Sequence, residues 1–135
     1  MTTNGAGGPL PDAHASAGRD FRQVLAGLTQ LEHVRGGLLV APDGLVIAAT
    51  LPPDIAVEPV SALAATLGRE LELRGPRLRR GTFLMAHFLA DDGAVFLGGT
   101  PIGFIVLLTD TEVNRDAIRH ALREAIGNIR HAWPR

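Results

Sequence analysis

The sequence predicts an α+β fold. It reads as a five-stranded antiparallel sheet with helices on both faces, in the order α-β-β-α-β-β-β-α. Three observations predict it. First, Pro42-Asp43-Gly44 and Asp91-Asp92-Gly93 each lie between apolar runs of strand length, the signature of a hairpin. Second, three stretches carry apolar residues at helical spacing, one near each end and one in the middle. Third, runs such as Phe104 to Leu108 are apolar without alternation, so the sheet is covered on both faces.

The elements follow in order. Residues 1–18 are rich in Gly, Pro and Ala without periodicity, and they predict a flexible tail. Residues 19–135 form the predicted folded domain. Asp20 and Gln23 have the spacing of a capping box. Phe21, Val24, Leu25, Leu28 and Leu31 then mark an amphipathic helix of about four turns, which Gly36-Gly37 is expected to end. Leu38 to Ala41 and Leu45 to Ala49 flank the first hairpin turn, and Pro52-Pro53 stops the second strand. The middle helix runs from Val57 to Arg74, with Asp54 as the expected N-cap and Glu58 and Pro59 in its first turn. Val60, Leu63, Leu67 and Leu71 form its expected core stripe, and Gly75-Pro76 its expected end. Thr82 to Ala90 and Ala94 to Gly98 are strands around the second turn. Residues 99–103 connect to Phe104–Leu108. Thr109 and Glu112 have capping-box spacing before the last helix, whose stripe runs through Val113, Ala117, Ala121, Leu122, Ala125, Ile126 and Ile129. Trp133 is expected to pin that helix.

Composition narrows the function. The 135 residues carry 13 basic and 14 acidic side chains, a formal net charge of −1. That balance offers no global attraction to nucleic acid or to an anionic membrane. Every basic residue is arginine, and cysteine is absent, so thiolate chemistry is excluded. The apolar runs are shorter than the roughly 18 residues of a membrane span, so no membrane insertion is expected. No secretory leader pattern is visible, and a cytoplasmic location is expected.

No motif carries catalysis or a cofactor. Without lysine there is neither a P-loop lysine nor a Schiff base, and Gly98-Gly99-Thr100 is not a phosphate loop. Ser16 and Ser61 lack a nucleophile-elbow context. His14, His33, His87, His120 and His131 show no metal-ligand spacing. Asp91-Asp92 belongs to turn chemistry. The expectation is a non-enzyme with no catalytic residue, no cofactor and no metal.

The element order, with RGGLLVAPDGLVIAA at the first hairpin and GTFLMAHFLADDGAVFLGGTPIGFIVLLTD at the second, resembles the Roadblock dynein-light-chain family, most closely its bacterial MglB-type members. The similarity covers about residues 20 to 133. It implies a three-layer Roadblock fold and a homodimer or heterodimer. It also implies a role as regulator of a small Ras-like GTPase, as a GTPase-activating partner without an arginine finger. A structural dimerisation module, with no effect on GTP hydrolysis, is the alternative the family also contains.

Two groups of residues are candidates for partner contact. Ser61, Ala64, Ala65, Gly68 and Glu72 lie opposite the expected core stripe of the middle helix. A bare face of small residues lets another backbone approach, and Gly68 inside a helix costs about 1 kcal/mol relative to Ala. The resemblance turns this face toward the second protomer, the GTPase, or both. The plainer reading is an Ala-rich helix with a tolerated glycine. Arg74, Arg77, Arg79 and Arg80 are the one dense basic cluster, either an interface rim or a solvated loop at a helix end.

Overall fold

The computed structural model describes residues 21–132. The readings of the tail, of Asp20 and of Trp133 lie outside them. Residues 21–29 are helical (α1). Then come β1 (Val34–Val40), β2 (Val46–Thr50), α2 (Val57–Arg74) and a short 3-10 turn (Gly75–Leu78). They are followed by β3 (Met85–Ala90), β4 (Gly93–Thr100), β5 (Gly103–Thr109) and α3 (Arg115–Ala132). The strands form one five-stranded sheet in the spatial order β2-β1-β5-β4-β3. Every neighbouring pair is antiparallel. This is the α+β architecture the sequence predicts.

Strand alternation divides the core into two layers. Leu39, Phe96, Ile105 and Leu107 point to the face covered by α1 and α3. They meet Phe21 and Leu25 of α1 and Leu122 and Ile126 of α3. Leu38, Val40, Leu97, Phe104 and Val106 point to the opposite face, covered by α2. Phe21, Phe96 and Phe104 are the bulkiest fully buried side chains. Burying each contributes about 1.5–3 kcal/mol.

Both hairpin turns form as their residues dictate. Gly44 takes φ +94°, Leu45 N–H bonds Asp43 Oδ1 at 3.0 Å, and Ala41 N–H bonds Leu45 O at 2.8 Å. Asp91 and Asp92 join β3 to β4, with Ala90 opposite Gly93.

Several boundaries differ from expectation. Gly36 and Gly37 do not end α1; they lie inside β1. Helix α1 ends near Thr29, where Gln30 and Leu31 donate to carbonyls three residues back and His33 turns to φ +71°. Gly37 is small because α1 crosses it closely. A Cβ there would sit 2.8 Å from both Leu25 Cδ1 and Thr29 Cγ2.

Asp54 does not cap α2. The N-cap is Ala56, without a side-chain bond, because a turn closed by Ile55 N–H to Pro52 O separates Asp54 from the helix. Gly75-Pro76 does not stop the chain's coiling, which continues as the 3-10 turn until Arg79 takes φ +56°. β3 starts at Met85 rather than Thr82, and β4 runs on to Thr100, leaving Pro101 and Ile102 as the connector. Thr109 does not cap α3. Its hydroxyl is used in the sheet against the backbone of Ala94, and Asn114 Oδ1 caps the helix by accepting from Ala117 N–H at 3.1 Å.

Candidate functional site

Helix α2 determines the accessible chemistry of its face. At 100° per residue its small stripe and its leucine stripe are centred about 105° apart. Only one of them can lie flat on the sheet. The structure places Ser61, Ala64, Ala65 and Gly68 there, all buried. This overturns the expectation that these residues face a partner. The physical reason is Phe104 of β5. Its ring lies directly under Gly68, so close that an added Cβ would come within 2.5 Å of Cε1 and Cζ. Small side chains let the helix backbone settle onto that ring. Ser61 satisfies its buried hydroxyl by donating to Glu58 O at 3.0 Å. Glu72 is exposed and does not join the other four.

The displaced leucine stripe becomes the wall of a groove. Val60 and Leu67 are half-buried, while Leu63 remains 60% exposed. Opposite them lie Phe88, Val95 and Leu97. The groove is lined by apolar side chains alone and encloses about 230 Å³. It exists because α2 packs chiefly on β1, β5 and β4 and makes little contact with β3.

The rim of this groove is the edge strand β3. Met85 to Ala90 contains no acidic residue, lysine, arginine or proline. Phe88 and Leu89 are exposed. Edge strands normally carry such protections, because their free N–H and C=O groups template pairing with another chain. An open edge beside an apolar groove is therefore the feature of this surface that most needs a partner.

The basic cluster lies at the other end of α2. Arg74 Nε donates to Glu70 Oε1 at 2.6 Å, an exposed pair of small energetic worth. Arg77, Arg79 and Arg80 are exposed on and after the 3-10 turn.

One cluster escaped the sequence reading. Asp110 Oδ2 accepts from Arg35 Nη2 at 2.7 Å and lies 3.0 Å from His33 Nδ1. Glu112 N–H donates to Asp110 Oδ1, and Asp110 N–H to His33 O. The carboxyl is held below its ordinary value, chiefly by the His33 hydrogen bond, against a raising effect of burial, with help from Glu112 N–H and Arg35. The group ties the start of β1 to the end of β5. A Thr-Asp pair before a helix reads as a cap, and nothing local reveals that the partners lie about 75 residues upstream. His87 is exposed and stacks on Phe96, ring centroids 5.3 Å apart. Among the described residues no three His, Asp or Glu side chains gather as metal ligands.

No family model matches the chain. The protein MJ0310 of Methanocaldococcus jannaschii, itself uncharacterized, is 31% identical over 108 residues, covering 80% of this chain and 95% of its own. MJ1340 of the same organism, also uncharacterized, matches at 31% over 108 residues with the same coverage. Among solved structures, the Roadblock/LC7 domain from Streptomyces avermitilis superposes with TM-score 0.69 at 21% identity, covering 81% of this chain and 93% of that one. Myxococcus xanthus MglB superposes with TM-score 0.74 at 13% identity, covering 83% and 86%. The chain belongs to the family of these archaeal proteins, and its fold is the Roadblock fold that MglB also has.

Proposed function

We propose that the chain is a non-enzymatic regulatory partner of a small Ras-like GTPase, and that it acts as a homodimer. The observation that carries the proposal is the apolar groove beside α2 with the unprotected β3 edge at its rim. Like edges pair readily about a two-fold axis, which gives an isologous interface. A stable interface buries about 800 Å² per partner. The groove is small against that area, so edge pairing and groove filling act together.

The GTPase is supported by the resemblance to MglB-type regulators and by the shared fold. Self-association is supported by a further solved neighbour, described as MglB with a tetrameric arrangement. Regulation works by differential affinity. A partner that binds one switch arrangement of the GTPase tenfold better shifts that equilibrium by about 1.4 kcal/mol.

The test is GTP hydrolysis by a small GTPase encoded beside this gene, with and without the protein. A changed rate, lost with the dimer-breaking Leu63→Glu variant, supports the reading. Binding without any change in rate returns the structural-module alternative. Absence of both binding and rate change overturns the GTPase assignment.

A further inference from the structure

We propose that the C-terminal end of α2 and the turn after it form a peripheral docking site for a bilayer containing anionic phospholipid. Four arginines, Arg74, Arg77, Arg79 and Arg80, fall within seven residues, and no acidic residue interrupts them. With Glu70, which pairs with Arg74, and exposed Glu72 counted, residues 70–80 carry four arginines against two glutamates, a net charge of +2 in a chain whose formal net charge is −1. Residues 76–82 are all exposed. Among the described residues the guanidinium groups of Arg77, Arg79 and Arg80 have no ion-pair or hydrogen-bond partner.

Two leucines sit among these cations. Leu73 is 69% exposed and Leu78 73%, the highest values among the exposed large apolar side chains of the described residues. The sequence leaves these arginines as either the rim of a protein interface or a solvated loop at a helix end. An acidic protein surface would pair the guanidiniums but would need a shaped apolar receptor for each leucine. A bilayer interface takes both without shape. Phosphate groups accept bidentate bonds from guanidinium, and the apolar zone just below takes the leucines. The contact is peripheral: no helix among the described residues is long and apolar enough to cross a membrane.

The experiment is co-sedimentation of the full chain with phosphatidylcholine vesicles that contain, or lack, phosphatidylglycerol. Binding is expected to the anionic vesicles alone at about 0.1 M salt, and it is expected to fall sharply near 1 M, where the screening length drops from about 10 to about 3 Å. The triple variant Arg77→Ala, Arg79→Asn, Arg80→Ala removes the cations. Asparagine is chosen at Arg79 because it tolerates the left-handed backbone found there. Partitioning is expected to fall about a hundredfold, at about fivefold per arginine near the surface. Leu73→Ser with Leu78→Ser is expected to weaken binding at both salt concentrations. All five side chains are exposed, so an unchanged melting temperature verifies the fold of each variant. Equal binding to neutral and anionic vesicles overturns the proposal. So does full retention of binding by the triple variant. Absence of vesicle binding, with loss of a protein partner in the triple variant, assigns the corner to a protein interface instead and also overturns it.

Discussion

Replacing Gly68 with alanine is expected to destabilise the protein, although alanine is the better helix former. The two effects have opposite signs and can be sized. In an exposed helix, Gly→Ala contributes about 1 kcal/mol of stability. At Gly68 the new Cβ would lie 2.5 Å from Cε1 and Cζ of Phe104 and 2.7 Å from Cδ1. Carbon pairs favour about 3.5–4.0 Å, so the overlap is roughly 1 Å. Phe104 is fully buried and has nowhere to retreat. Overpacking of this kind costs about 1–3 kcal/mol, more than the propensity gain at most of that range. The net expectation is a loss of about 1 kcal/mol, or several degrees in melting temperature.

Gly127 supplies the control. It lies in α3, and nothing stands within 4 Å of a Cβ built there. Gly127→Ala is therefore expected to raise stability by about 0.5–1 kcal/mol. Urea unfolding of both variants at matched protein concentration reads the difference in sign. Phe104→Leu in the Gly68→Ala background is expected to cost less than the two changes added separately, because the leucine vacates the space the new methyl needs. If Gly68→Ala stabilises as much as Gly127→Ala, the ring is not packed under the helix, and the small stripe regains its place as a partner face.

Two further outcomes follow from the structure. The lowered carboxyl of Asp110 contributes stability that is complete above about pH 4 and is lost as pH falls through its folded value, because the unfolded state then binds the proton first. Asp110→Asn is expected to flatten this acid limb in urea midpoints taken between about pH 2 and 6; a limb as steep as the parent's contradicts the assignment. Thr109→Val keeps the side-chain volume but removes the hydroxyl that bonds Ala94 across the sheet. It is expected to lower the unfolding free energy by about 1–2 kcal/mol, and a loss near zero in chemical denaturation places that hydroxyl outside the sheet's bonding.

The parts of the fold legible in the sequence are those decided by local chemistry. Asp43 and Gly44 make their turn with their own backbone and side chain, and Asp91 and Asp92 form a tight turn with Ala90 opposite Gly93, so both hairpins and the element order could be read directly. The orientation of α2 was not local. Its leucine and small stripes both repeat at helical spacing, and the choice between them depends on Phe104, whose ring fits under Gly68 and not under Leu67. The groove was legible only as an area deficit: one helix is about 10 Å wide, and a five-stranded sheet spans about 24 Å. Which side chains line it followed from the same packing choice. Gly36-Gly37 misled because a glycine pair signals a helix stop and a close helix crossing equally well. The true stop, near Thr29, is followed by tightened bonds to carbonyls three residues back and a left-handed non-glycine residue, His33, which no local motif announces.

The central claim is that the α2–β3 groove is where two copies of this chain meet. The most direct measurement is the mass of the full chain in solution by light scattering, for the parent and for Leu63→Glu and Phe88→Glu. Both side chains are substantially exposed in the single chain, so the variants are expected to fold. The parent is expected at twice its 14.3 kDa chain mass and each variant at the single-chain mass. A parent that stays at 14.3 kDa at every concentration, or variants that remain dimeric, would contradict the account.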